Sequence, residues 1–172
     1  MATEQGNFRN LRAFTLFELV MVLMVIVICA MIAAPKLADF ARGRVLPNAA
    51  MSLSTTARWC QMMAKTDGTP YRLNLDPSSG RYWVTKDDGT GVTFKQVTDE
   101  NGAATSLPQG ITMSSENLPN YDDGTYITFW PGGQTDVAVI ALSNDRRTLN
   151  VACETPLGAY RVYDSVTGGL AR

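Results

Sequence analysis

From Phe14 to Ala34 the chain runs 21 residues with a single formal charge, Glu18. Wound as an α-helix, such a stretch is roughly 31 Å long, close to the thickness of a bilayer's hydrocarbon core. The composition predicts a membrane-spanning helix. Glu18 is then the anomaly, because an ionised carboxylate inside such a segment is costly unless it finds a partner. Its plainer reading is a carboxylate snorkelling to the headgroups from one turn inside the helix.

The residues before this stretch carry Arg9 and Arg12. By the positive-inside tendency they stay cytoplasmic and the rest of the chain crosses the membrane. A removable secretory signal would have a shorter apolar region, although Ala30, Ala33 and Ala34 imitate its small-residue cleavage site.

The residues at the head of the helix, A-F-T-L-F-E over 13–18, narrow the reading. They resemble the type III signal of type IV pilins and pseudopilins, where a small residue, normally glycine, precedes F-T-L-x-E and about a score of apolar residues. Here Ala13 takes the place of that glycine. The resemblance implies cleavage between Ala13 and Phe14 by a prepilin peptidase, methylation of the new Phe14 amine, and a helix-kinking role for Pro35. It also implies a partner for Glu18. The amine freed at Phe14 is largely protonated near neutrality, and in an assembled fibre it can meet Glu18 of a neighbouring subunit and fix the register.

Beyond Pro35 the pattern changes. Pro35 is expected to bend or interrupt the helix, and Gly43 and Pro47 weaken the next turns. Leu46, Ala50, Leu53, Ala57, Cys60 and Ala64 then recur at spacings of four and three, a single apolar stripe with Arg58, Gln61 and Lys65 largely off it. This part is an amphipathic helix outside the membrane. The divisions are therefore a leader over 1–13, a membrane and fibre-core helix over 14–34, its amphipathic continuation over 35–66, and a β-rich globular domain over 67–172.

In that last part, turn signals come densely: D-G-T-P, D-P-S-S-G, D-D-G-T-G, E-N-G, D-D-G and P-G-G. Short antiparallel strands are predicted at 71–75, 81–86, 92–97, 110–113, 126–130, 136–142, 148–153 and 158–163, the first two forming a hairpin across 76–80. Residues 137–142 are almost continuously apolar, which predicts a strand covered on both faces. Residues 114–124 show little periodicity and read as a surface loop. I-T-F-W-P-G-G with the strands around T-P-L-G, A-R-W-C-Q-M-M-A on the helix and the Y-R-L-N-L-D hairpin resemble GspH/FimT-type minor pseudopilins over most of the chain. The fold this implies is α+β and pilin-like, a long N-terminal helix packed on antiparallel sheets.

Catalysis finds little support. The chain has no histidine, which removes Ser-His triads and the commonest general base. Its three cysteines lack metal-ligand spacing. Asp87–Asp88 and Asp122–Asp123 could be imagined around calcium, but each pair directly precedes a glycine, where Asp serves a turn through backbone hydrogen bonds. No metal and no cofactor is expected. Removing Arg9, Arg12, Glu4 and Glu18 from the chain's 15 basic and 16 acidic residues leaves 13 and 14, so the basic surplus typical of nucleic-acid binders is missing.

Cys29 reads as a small apolar residue of the span. Cys60 on the helix stripe and Cys153 on the face shared with Leu149 and Val151 both point to the core. If they touch, an oxidising compartment would permit a disulfide worth about 4 kcal/mol; the alternative is two free buried thiols. Trp83 lies on the strand face opposite Tyr82 and Val84, and Trp59 lies off the stripe; either is a candidate interface aromatic or an ordinary packed one.

The resemblance implies an architectural, non-enzymatic role: a minor pseudopilin of a type II secretion system, single-pass in the bacterial inner membrane with its globular domain in the periplasm. The implied partners are membrane lipid before assembly, other major and minor pseudopilins, a prepilin peptidase, an inner-membrane assembly platform and secreted substrates. Two alternatives remain: a minor pilin of a type IV or DNA-uptake pilus, and, from another class, a membrane-anchored periplasmic enzyme or ligand-binding module.

Overall fold

The computed structural model describes residues 15–118, 120–121 and 124–165, with side chains at all of these except 34–42 and 120–121. Among them are one helix and ten strands. The chain divides into two compact units, Met1–Arg42 and Gly43–Arg172.

The helix, α1, runs Leu16–Asp67 and so contributes to both units. Its first turn is capped by Thr15, whose Oγ1 accepts a hydrogen bond from the Glu18 backbone N–H at 3.2 Å. The backbone is helical through Pro35, so the proline does not interrupt α1. In the first unit the described side chains, 15–33, are all exposed.

The second unit joins the rest of α1 to β1 (Tyr71–Asp76), β2 (Arg81–Asp87), β3 (Phe94–Gln96), β4 (Thr105–Ser106), β5 (Thr112–Glu116), β6 (Asn120–Tyr121), β7 (Gly124–Phe129), β8 (Val139–Ser143), β9 (Thr148–Ala152) and β10 (Arg161–Asp164). They form two antiparallel sheets, one ordered β3-β2-β1-β7-β6 with β4 also on β2, the other β10-β9-β8-β5. The predicted hairpin is present, β1 pairing β2 from Tyr71↔Lys86 to Asp76↔Arg81. Its turn is built by Asp76, whose carboxylate accepts from the backbone N–H groups of Ser78 and Ser79 at 3.0 and 3.3 Å and from both hydroxyls. Gly80 closes it at φ 63°, a left-handed conformation that favours glycine.

The free edge of β2 is shared. β3 covers its second half and β4 its start, and between them the Val84 N–H donates to the Gly102 carbonyl at 3.1 Å while the Val97 N–H donates to the Val84 carbonyl at 2.9 Å. Gly102 is buried in this crossing, where a Cβ would fall 2.6 Å from Val97 Cγ1. Only glycine lets the two segments approach so closely.

Both sheets turn one face to α1. All six residues of the predicted stripe, Leu46, Ala50, Leu53, Ala57, Cys60 and Ala64, are 0% exposed. They share one core with Leu73, Val84, Ile127 and Phe129 of the first sheet and with Ile140, Leu142, Leu149 and Val151 of the second. Burying each large aliphatic side chain contributes about 1.5–3 kcal/mol. Alanine at alternate stripe positions keeps the helix surface low, which lets the two sheets approach it.

The strands also depart from the sequence expectations. β8 alternates instead of being covered twice: Ile140 and Leu142 are buried, Val139 and Ala141 half-buried and Val137 exposed. Its outer face is merely apolar in composition, in an antiparallel sheet packed on one side. Residues 114–124, read as a loop, continue β5 to Glu116 and hold β6. β4 and β6 have two residues each, too short to show any period.

Candidate assembly helix and its domain

Leu16–Ala33 is an 18-residue segment of mean hydropathy 2.9, none of it buried within the chain. Among the described residues it is the one segment long and apolar enough to cross a membrane. Glu18 shares a shallow surface with Met21, Val22, Val25 and Ile26, the i+3, i+4, i+7 and i+8 positions that follow it on one helix face. A second helix lying on that apolar face would meet the carboxylate. Ala13 and Phe14, the implied processing site, lie outside the described residues.

Thr15 was not singled out from the sequence. The signal was there in T-L-F-E, the S/T-x-x-E spacing of a capping box, with Thr15 at the N-cap and Glu18 at the third helical position. One half of that box is made, the Glu18 N–H bonding to the Thr15 hydroxyl.

In the second unit, three groups of polar contacts fasten α1 to the sheets. The Gln61 side-chain amide donates to the Gly133 carbonyl at 2.9 Å and to the Gly158 carbonyl at 3.0 Å. It thereby ties the turn after β7 to the turn after β9, which are also joined by the Thr135 N–H donating to the Pro156 carbonyl at 2.7 Å. Ser54 Oγ donates to the Tyr160 carbonyl at 2.9 Å, and the Tyr160 hydroxyl donates to the Asp136 carbonyl at 2.7 Å. At the helix end, Asp67 Oδ2 accepts from Lys86 Nζ and from the Tyr71 hydroxyl, both at 2.6 Å. Lys86 and then Tyr71 hold the Asp67 carboxyl below its ordinary value, and burial together with Asp67 pushes the Tyr71 phenol up.

The remaining sequence candidates fall into place around this frame. Cys60 and Cys153 do lie in the same core, but as free thiols, so the disulfide considered for them is not formed here. Cys153 Sγ donates to the Thr155 carbonyl at 3.1 Å, and burial raises the Cys60 thiol. Asp87 accepts from the Gly91 N–H at 3.0 Å, and Asp88 accepts from the Thr90 N–H at 3.2 Å and from its hydroxyl; both carboxylates serve the turn. Asp122 and Asp123 lie outside the described residues. Trp59 meets Tyr71 edge-on, ring centroids 6.0 Å apart, against the core. Trp83 is half-buried on the outer face of its sheet, where the Arg72 guanidinium stacks on the Phe94 and Tyr126 rings at 3.6 and 4.1 Å.

Neither a protein-family model nor a curated protein matches the sequence. Solved structures do match the fold. A structure of the minor pseudopilin EpsH from the type 2 secretion system of Vibrio cholerae superposes with a TM-score of 0.58 at 13% identity, covering 70% of this chain and 97% of that one. A second EpsH structure gives 0.56 at 10% identity over 75% and 99%. The type IV minor pilin FimU of Pseudomonas aeruginosa gives 0.53 at 10% identity over 77% and 97%.

The chain has the α+β pilin-like fold. In it, the amphipathic part of α1 is the spine on which both sheets close, and the described side chains of the apolar part are all exposed.

Proposed function

We propose that this chain is a minor pseudopilin, a non-catalytic subunit of the periplasmic pseudopilus of a type II secretion system, held in the inner membrane until it is assembled. The observation that carries the reading is a fully exposed apolar helix with one acid, joined to a domain of pilin-like fold. A helix apolar all round is stable only in apolar surroundings, which lipid supplies first and the helices of companion subunits supply in the fibre. Association between such helices gains little from hydrophobicity while they remain in lipid, so packing and polar contacts decide it. Glu18 is the polar group available to choose the register, by pairing with the Phe14 amine of a neighbour after a prepilin peptidase cleaves behind Ala13. An inner-membrane assembly platform would supply the force, and the globular domain would meet other pseudopilins or secreted cargo.

Co-purification of this chain with cross-linked companion subunits tests the register mechanism. Glu18→Ala is expected to abolish co-assembly while leaving the domain folded and the chain membrane-bound; undiminished co-assembly would show the mechanism to be wrong.

A second reading, a minor pilin of a type IV pilus, is favoured by the likeness to FimU. Deletion separates the two. Loss of protein secretion supports the first, and loss of twitching or transformation with secretion intact supports the second.

A further inference from the structure

The second sheet has an outer face, turned away from α1, whose make-up is set by the register of its four strands. Arg161 of β10 pairs with Ala152 of β9, Ala152 with Val139 of β8, and Val139 with Glu116 of β5. Alternation along each strand puts these four residues on one face, where they form a row with a base at one end and an acid at the other. Arg161 and Glu116 are both exposed, and neither side chain enters a hydrogen bond or ion pair among the described residues. The next row on this face is Tyr163, Asn150, Ala141 and Ser114, and the one after it Thr148, Ser143 and Thr112. Neither row carries a charge.

The middle of the face is low, because Ala152, Ala141 and Ser114 are small, so an opposing surface can come close between the two charged ends. Strands about 4.8 Å apart put those ends roughly 14 Å from each other. A partner that fits needs an acid opposite Arg161, a base opposite Glu116, the same separation and an uncharged middle. The same face turned over has all four. Half a turn about an axis lying along the strands, midway between β8 and β9, carries β10 onto β5 and β9 onto β8. Arg161 of each copy then faces Glu116 of the other, Ala152 faces Val139, and the uncharged rows face each other.

We propose that this face is a docking surface for a second copy of the chain, an isologous contact in which the ion pair of Arg161 with Glu116 forms twice. Exposed ion pairs add little affinity, so their part is to choose the partner and its orientation. Four strands of four or five residues cover roughly 300 Å², well under the ~800 Å² per partner of a standard interface. The contact is therefore weak and reversible, and it forms between chains held at high local concentration. It involves the second unit alone, so it does not depend on which kind of fibre the chain enters.

The experiment uses the full chain in density-matched detergent and follows its mass by sedimentation equilibrium as concentration rises. A dimer that dissociates on dilution is expected, weakened by high salt. Glu116→Arg and Arg161→Glu should each weaken it about tenfold, because each sets like charges against one another at both ends. An equimolar mixture of the two variants should regain the wild-type dimer, since one chain then brings two bases and the other two acids. Both reversals in one chain should regain it as well. An unchanged unfolding midpoint certifies the fold of every variant; Glu116→Gln and Arg161→Gln, expected to weaken the dimer less, take over where a reversal fails to fold. A wild-type chain that stays monomeric at every concentration overturns the proposal. So does a dimer indifferent to either reversal, which would place the contact elsewhere on the chain. A mixture that stays monomeric overturns it too, because the two residues would then not meet.

Discussion

Leu23 and Leu53 are the same residue on the same helix, yet Leu23 is 53% exposed and Leu53 is 0% exposed. The difference lies in what surrounds each on the helix surface. Around Leu23 every face of α1 is apolar; around Leu53 the apolar residues form one stripe, and Ser52, Thr55, Arg58 and Gln61 occupy the other faces. An amphipathic helix needs a single apolar neighbour, and here the two sheets are that neighbour. A helix apolar all round has to be enclosed, and the described side chains from 15 to 33 are all exposed. On the proposed function lipid or other subunits enclose it, whereas the core of the domain is built by the chain itself.

The sharpest way to break this contrast is to make the same cut in both parts. Leu53→Ala should destabilise the domain by about 2–5 kcal/mol, the usual cost of emptying a fully buried leucine site. Leu23→Ala should leave domain stability unchanged. Denaturant unfolding of the detergent-solubilised chain, followed through a tertiary signal of the domain, measures both. Equal effects would mean that the apolar part does pack on the domain.

Next in size is Gln61, whose amide holds two turns to the helix at once. Gln61→Ala leaves the Gly133 and Gly158 carbonyls without this donor and should cost about 1–3 kcal/mol. Hydrogen exchange should rise first at 130–135 and 154–158, the two turns it bridges, before β8 and β9 respond. A uniform rise across the domain would make Gln61 an ordinary packing residue instead of a clamp.

How far these features were readable from the sequence depends on their range. The stripe from Leu46 to Ala64 was legible because it repeats with the helical period, and the β1–β2 hairpin because D-P-S-S-G states its own turn chemistry. Glu18 stood out as the lone acid of an apolar run, whereas its capping threonine, equally local, needed the backbone bond to be noticed. The Gln61 clamp was invisible: its two acceptors lie 72 and 97 residues away, and backbone carbonyls carry no sequence signature. β8 misled for the opposite reason, because Val139 and Ala141 are apolar without being covered, and hydrophobic composition does not by itself say how many faces are packed.

The smallest expected effect is at Asp67, where the packed part of α1 ends. Its carboxylate is tied to Lys86 and Tyr71, and both contacts favour the ionised form, so its folded value lies below the ordinary one near 3.8. The sign follows from linkage. A carboxyl whose proton binds more weakly in the folded state adds stability that is complete above its unfolded value, about 3.9, and is lost as pH falls through the lower folded value. Acidification below about pH 4 should thus loosen the last turn of α1 and the Trp59–Tyr71 contact above it, while Leu16–Ala33, which has no ion pair within the chain's described contacts, keeps its helix. The carboxyl ¹³C shift of Asp67 and the indole resonance of Trp59 should move together in a pH titration in detergent. In Asp67→Asn the indole shift should lose its acid dependence, because the amide keeps a hydrogen-bonding oxygen but cannot titrate. If acid still moved Trp59 in that variant, the end of the helix would be held by the core alone, and the contrast between the two parts of α1 would rest entirely on apolar packing.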